Sequence, residues 1–356
     1  MSLTLLQRIQ IGDLHRKAWY EALAKIANDG LPLFNALEFM GSEFRKIKHP
    51  LTPIVVLVLS RLHGGGPARS AQQRRTLGTE LVGLVPDDEA MLIQAGEASG
   101  RIAQGLTNAA RLVDTKSTLR STVVGALLKP VGYIFGLLGL LGFFSIHLMP
   151  SFEKSKPRTN WPSNAQLLGS IADHSVAITV VVLITLILAG AAVIWLVPTW
   201  TGKSRDFVDR HIFPFPLIAA INGASFLTTL AGYIGSGMPL VESVTNISSS
   251  ANRYMQSQCD QMLNLIRRGQ RPEVALCALI IVPLRHQWVI KVYAMTGDAA
   301  KTYETIAQEM VAGVQASVKR LFGYIINNLL LVCIGFMVIW IYGSLFEISM
   351  SSNSRS

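Results

Sequence analysis

The residues best suited to chemistry are three cysteines, Cys259, Cys277 and Cys333, because a thiolate is both a nucleophile and a metal ligand. Their spacing gives neither a CxxC pair nor an even-numbered disulfide framework. The seven histidines are scattered, and no HExxH or paired-ligand spacing occurs. Gly202-Lys203-Ser204 ends like a phosphate-binding loop, but that loop needs a glycine where Val197 stands, and a strand before it. It reads instead as a basic turn beside a membrane helix. Gly235-Ser236-Gly237 lacks the GxSxG spacing of a nucleophile elbow. Asp87, Asp88 and Glu89 follow Pro86 and read as the acidic cap of a helix rather than as a cation site. With no clustered titratable set, no catalytic residue, metal or cofactor is expected, and the chain reads as a non-enzyme.

The elements that position these residues are dominated by apolar sequence. Half of the 356 residues are apolar and 15% are charged, with a mean hydropathy of +0.38. Soluble domains carry about 25% charge. Residues 131–149, 176–197 and 321–346 are free of formal charge. A bilayer core of about 30 Å needs roughly 20 apolar helical residues, so each run is long enough to cross. Pro150 and Pro198 follow two of the runs, where a helix is expected to stop. Residues 211–241 also lack charged side chains, but Pro214, Pro216, Asn222 and Gly223 interrupt them, and they read as a buried helix.

Basic residues set the orientation. Residues 1–130 hold 16 Lys/Arg against 11 Asp/Glu, and residues 198–320 hold 12 against 8. Lys129, Lys203, Arg210, Lys319 and Arg320 flank the runs, so the positive-inside rule places both large regions and the N-terminus in the cytoplasm. The basic edge is suited to membrane lipid. The net charge of +10 is not gathered into a stripe, so no nucleic-acid partner is expected. No apolar signal-peptide core precedes the first run.

The chain also repeats itself. Residues 19–37 align without a gap on residues 226–244, matching Leu23 with Leu230, Gly30 with Gly237, Pro32 with Pro239 and Leu33 with Leu240. Gly96-Glu97 has a counterpart in Gly297-Asp298. Trp19, Leu23, Ile26 and Ala27 recur at helical steps. Gly30 and Gly237 fit helix C-termini with positive φ, and Pro32 and Pro239 fit the start of the next helix. The glycine-rich stretch 64–67 reads as a loop. The fold class predicted is an all-α polytopic membrane protein, with two repeated cytoplasmic helical bundles and three transmembrane helices. Its domains run 1–129 (first cytoplasmic bundle), 130–149 (first span), 150–175 (periplasmic loop), 176–198 (second span), 199–320 (second bundle), 321–347 (third span) and 348–356 (periplasmic tail). Within the spans, Gly132 and Gly136 could form a helix-packing face, and Asn327 and Asn328 could hydrogen-bond a neighbouring helix. His147 sits near the outer edge of the first span.

The helix–Gly30-Leu31-Pro32-Leu33–helix segment and Gly96-Glu97-Ala98-Ser99-Gly100 resemble the signatures of the type II secretion system F family. These are polytopic inner-membrane platform proteins of type II secretion and type IV pilus machines. The second copy, Gly297-Asp298-Ala299-Ala300, departs from that pattern, with Asp for Glu and no second Gly. The resemblance implies a non-enzymatic platform in a bacterial inner membrane, coupling a cytoplasmic assembly ATPase to insertion of pilin subunits. It also implies other inner-membrane platform proteins as partners, and a homo-oligomer. Gly30, Pro32, Gly96, Glu97, Gly100, Gly237, Pro239, Gly297 and Asp298 are the family-motif positions and the candidates for partner contact; Glu97 could form a salt bridge with the ATPase or a neighbouring copy, but its small neighbours Gly96, Ala98, Ser99 and Gly100 favour a glycine-flanked turn or tight helix contact. An oligomeric transporter or channel is the alternative reading; it would call for charged or broken helices at mid-membrane.

Overall fold

The computed structural model describes residues 12–65, 76–155, 161, 163–212, 215–293 and 299–353. Among these, every extended element is a helix and no strand occurs, beyond one isolated bridge between Val82 and Val85. The first repeat contributes α1 (Asp13–Asn28), α2 (Leu33–Lys46), α3 (Thr52–Ser60), α4 (Leu77–Leu81), α5 (Asp87–Ala98) and α6 (Ile102–Phe143). Then come α7 (Met149–Ser155), α8 (Ser163–Asp173) and α9 (Ser175–Thr199). The second repeat holds α10 (Lys203–His211), α11 (Phe215–Gly235), α12 (Leu240–Ser250), α13 (Arg253–Arg267), α14 (Pro272–Cys277), α15 (Leu284–Tyr293) and α16 (Ala299–Val318), before α17 (Asn327–Asn353).

Local chemistry sets the boundaries. Gly30 has φ +75 and Gly237 has φ +90, a region open to glycine because it has no Cβ. The chain then turns back so that Leu31 N–H reaches Ile26 O at 3.1 Å and Met238 N–H reaches Tyr233 O at 3.0 Å, the same C-terminal cap twice. Pro32 and Pro239 each stand one residue before their helix, as its N-cap, rather than at its first position. At α13, the Asn252 side chain accepts from Met255 N–H at 2.9 Å. The buried face of α1 is Trp19, Tyr20, Leu23 and Ala24, with Ile26 and Ala27 only half-buried.

Several sequence expectations are corrected. Pro150 and Pro198 do not stop their helices; they lie inside α7 and α9. Pro150 follows a π-helical turn, Phe144–Leu148, and Pro198 is one residue from its helix end, so little regular hydrogen bonding is lost at either. Gly64 and Gly65 complete a π-helical turn, Arg61–Gly65, while Gly66 and Pro67 lie outside the described residues. The connection 150–175 carries two helices, α7 and α8. The first apolar run is the end of the much longer α6, which continues through Pro130.

The described chain falls into two compact units, Met1–Ser121 with Pro198–Gln315, and Thr122–Val197 with Ala316–Ser356. Both repeats thus share the first unit. Among the described residues, four helical stretches are long and apolar enough to cross a membrane: Ile102–Ser151, Ser175–Ala192, Phe215–Gly235 and Ala299–Ser344. Phe215–Gly235 differs from the others. Phe226, Leu227, Leu230 and Tyr233 are buried in the first unit, along with most of that helix. In the second unit, Val181, Ile187, Leu188, Val332, Phe336 and Ile339 are all exposed, a surface suited to lipid rather than water. The core of that unit is small: Phe144, Met149, Trp161, Leu168 and Ile341 pack together, and Ser145 Oγ donates to Ala172 O at 2.7 Å.

Two buried ion pairs organise the first unit. In the first repeat, Arg16 Nε donates to Glu89 Oε2 at 3.1 Å, and Tyr20 OH donates to the same oxygen at 2.9 Å. Glu89 therefore belongs to the core, whereas Asp87 and Asp88 remain at the helix start, where Asp88 Oδ1 accepts from Glu89 N–H at 3.1 Å. Burial pushes the Glu89 carboxyl above its usual value, against the opposing pull of the Arg16 charge and hydrogen bonds. In the second repeat, the fully buried Arg205 lies 2.9 Å from Asp209 without the alignment of a hydrogen bond. Its guanidinium is boxed by the rings of Trp200, Phe215 and Tyr254 at 5.7, 4.6 and 4.9 Å. Tyr254 OH donates to Asp209 at 2.8 Å.

Replacing Arg16 by Ala should cost about 3–5 kcal/mol near neutral pH, because it strands a buried carboxylate. The Glu89 carboxyl then rises further, so the folded variant holds its proton more tightly than the unfolded chain. Stability is highest below the unfolded carboxylate range and falls as pH rises through the folded value. Urea denaturation of the detergent-solubilised variant at about pH 5 and about pH 8 checks this; equal losses at both would contradict it.

Candidate functional site

The two motif turns meet inside the first unit. After α5 the chain turns at Gly100, φ +71, and Arg101 N–H bonds back to Gly96 O at 2.7 Å. This folds α6 against α5 so closely that a Cβ on Gly96 would stand 2.7 Å from Gly105 Cα and 2.9 Å from its nitrogen. Only a glycine pair permits such an approach. Glu97 points to neither solvent nor a cation. Its carboxylate accepts from Leu77 N–H at 2.7 Å and Gly78 N–H at 2.8 Å, capping the N-terminus of α4.

From the same turn, the first repeat grips the second. Asn108, on α6 and buried, donates from Nδ2 to Gly232 O at 2.8 Å and to Ser236 Oγ at 3.3 Å. Its Oδ1 accepts from Gln104 at 3.2 Å. A Cβ on Gly232 would stand 2.9 Å from Leu92 and 3.1 Å from Asn108, so α11 packs there by virtue of a missing side chain. Arg101 reaches Gly235 O at 3.5 Å, and Arg111 pairs with Glu304 at 2.9 Å. Beside this junction lies a cavity of about 210 Å³ with a mixed lining, polar at Asp88, Lys116 and Asn222 and apolar at Phe226, Ile247 and Met255. Asp88 and Lys116 are paired.

The remaining candidates are not drawn into this junction. Gly30 has no atom within 4 Å of where a Cβ would stand, and Pro32 is exposed. Gly297 and Asp298 lie outside the described residues. Gly132 and Gly136 likewise have nothing within 4 Å, so no helix among the described residues packs on them. Asn327 Oδ1 is buried without a hydrogen bond, and Asn328 is exposed. His147 is exposed and stacks on Phe143 at 5.0 Å. Ser236 is buried and donates to Gly232 O at 2.9 Å, which spends its hydroxyl on the backbone. Gly202, φ +109, precedes α10 as its N-cap. Burial, with Asp260 nearby, pushes the Cys259 thiol up to about 12, and burial also raises Cys277, so both stay protonated at neutral pH. Among the described residues no group of three or more His, Cys, Asp or Glu could hold a metal.

Asn108 escapes sequence reasoning, and Glu89, expected in a helix cap, pairs with Arg16 and Tyr20 in the core instead. A lone amide in an apolar helix and one acid among three carry no local signal of their partners.

The geometry of Glu97 makes a sharp expectation. Glu97→Ala should destabilise the solubilised chain by about 1–3 kcal/mol, since two backbone donors lose their acceptor, while Glu97→Gln retains one and loses less. Gly96→Ala should cost about 1–3 kcal/mol by overpacking. Thermal melts compare all three; equal stability of Glu97→Ala and the parent would remove the capping role.

The family described as Type II secretion system (T2SS), protein F, matches this chain twice, over residues 19–150 and 226–346. The chain is 22% identical over 347 residues to the toxin coregulated pilus biosynthesis protein E of Vibrio cholerae serotype O1, covering 95% of this chain and 97% of that protein. It is 23% identical over 343 residues to the type IV pilus assembly protein PilC of Thermus thermophilus, covering 92% and 80%. It is 21% identical over 345 residues to a type II secretion system protein F of Vibrio cholerae, covering 94% and 82%. With both halves matched, joined through the very turns that carry the motifs, the chain belongs to the type II secretion system protein F family, whose members are inner-membrane platform components of pilus and secretion machinery.

Proposed function

We propose that this chain is a non-enzymatic platform for type IV pilus assembly or type II secretion, which couples a cytoplasmic assembly ATPase to the insertion of pilin subunits. The observation that carries this reading is the fusion of both repeats into one compact unit through Asn108 and Gly232. A body built this way receives a push at one repeat and passes it to the other without an intervening flexible linker. Two of the named relatives are pilus biosynthesis or assembly proteins, which favours the pilus machine.

In this reading, residues 130–149, 176–198 and 321–347 cross the inner membrane. Phe215–Gly235 stays outside the bilayer, because its apolar surface is already covered by protein. The N-terminus and both repeats face the cytoplasm. Basic residues at the edges of the apolar runs meet anionic lipid, each contributing on the order of 1 kcal/mol. The platform works as a homo-oligomer alongside other inner-membrane platform proteins.

Trypsin added to outer-membrane-permeabilised cells tests the layout: Arg61 and Arg268 should resist cleavage until the inner membrane is opened. Cleavage at either from outside overturns the topology. Copurification of the assembly ATPase with the full-length chain in detergent tests the coupling; reproducible absence of binding by a folded chain counts against it.

A further inference from the structure

Among the described residues, two groups of apolar side chains on the first unit are left exposed. One lies on the α1–α2 hairpin, where Leu31 and Phe39 are 59% and 68% exposed while Phe34 packs its ring on His63 at 5.0 Å, with Asp29 and Glu38 exposed alongside. The other is a single stripe on α15, where Leu284 and Trp288 are 83% and 65% exposed at a helical step of four, followed by Val292. Exposed Arg285 and Lys291 flank that stripe. A tryptophan so placed is a typical anchor of a protein interface.

The internal duplication gives the stripe a counterpart in the first repeat. α5 and α15 both begin after Val-Pro, at residues 85–86 and 282–283. Along that alignment Leu284, Trp288 and Val292 stand where α5 has Asp87, Met91 and Ala95. In α5 the counterpart Met91 is half-buried and Ala95 is buried, so α15 leaves open a face that α5 has covered. α5 is covered by the hairpin of the other repeat, α11 and α12. α15 receives no comparable contact from α1 or α2 among the described residues. The chain cannot repeat the first contact as it stands: Lys25 occupies the place that Gly232 holds in the aligned hairpin, and a long cation there blocks the close approach. What the first hairpin offers instead is its other side, apolar and edged with carboxylates. The α15 stripe is apolar and edged with cations.

We infer that the exposed Leu31 and Phe39 of one copy dock on the Leu284–Trp288–Val292 stripe of a second copy, with Asp29 and Glu38 facing Arg285 and Lys291. This interface rests on the homo-oligomeric reading above and assigns it a surface. Each chain carries both halves on different modules, so two copies can close reciprocally or further copies can add head to tail.

The test uses the full-length chain in lipid nanodiscs or detergent, with exposed Cys333 changed to Ser. One tagged copy carries Phe39→Cys and a second, differently tagged copy carries Trp288→Cys. Mild oxidation should join them only when both are present, whereas Phe39→Cys mixed with Gln256→Cys should not join. In parallel, Glu38→Lys should weaken self-association about tenfold, and Lys291→Glu added to it should restore most of the loss. Charge-swap rescue would not follow from a merely structural role. If the chain self-associates but neither cross-link nor rescue occurs, this surface is wrong while the oligomer stands. If the folded chain stays monomeric, this interface and the homo-oligomer reading both fall.

Discussion

The first unit depends on a contact made possible by an absent side chain. At Gly232 the backbone of α11 comes close enough to Leu92 and Asn108 for a buried amide to bridge the repeats. A methyl group there would sit 2.9 Å from Leu92, and the bridge of Asn108 to Gly232 O and Ser236 would have to open. Burying an amide is tolerable only when its hydrogen bonds are made, and here they are. The same device recurs at Gly96 against Gly105, which holds α6 to α5 and so sets where Asn108 stands. The motif glycines thus work in series: one pair fixes the helix, and the helix delivers the amide.

Charge is used inside this unit in two different ways. Glu89 is held by directed hydrogen bonds from Arg16 and Tyr20, so it ties α5 to α1 with a defined geometry. Arg205 is held mainly by ring faces, with Asp209 close but unaligned. Aromatic faces accept a cation over a broad range of positions. The first arrangement favours a fixed hairpin in the first repeat. The second allows the segment just after α9 to adjust without exposing its charge.

Much of this was legible in the chain and some was not. Gly30 and Gly237 announced their turns, because a glycine before a proline and an apolar helix start leaves few conformations. The uncharged runs announced long apolar helices, and the duplication hinted that 211–241 would behave like 19–37, whose charges keep it out of lipid. What periodicity could not supply was partner identity. Glu97 finds its donors twenty and nineteen residues away, and Asn108 finds its acceptor in the other repeat. Proline misled at 150 and 198, because a helix that has relaxed through a π-helical turn, or is about to end, has little hydrogen bonding left to lose. The face of α1 was read slightly off, since Tyr20 is buried by its bond to Glu89 rather than by apolar spacing.

The mismatch between Lys25 and Gly232 has a genetic corollary. Tandem duplications are commonly evened out when one copy is overwritten by the other during recombination. Here such an exchange would carry a lysine to the position of Gly232, where its side chain would crowd Leu92 and Asn108. An exchange across this stretch would therefore disturb the junction that holds the two halves together.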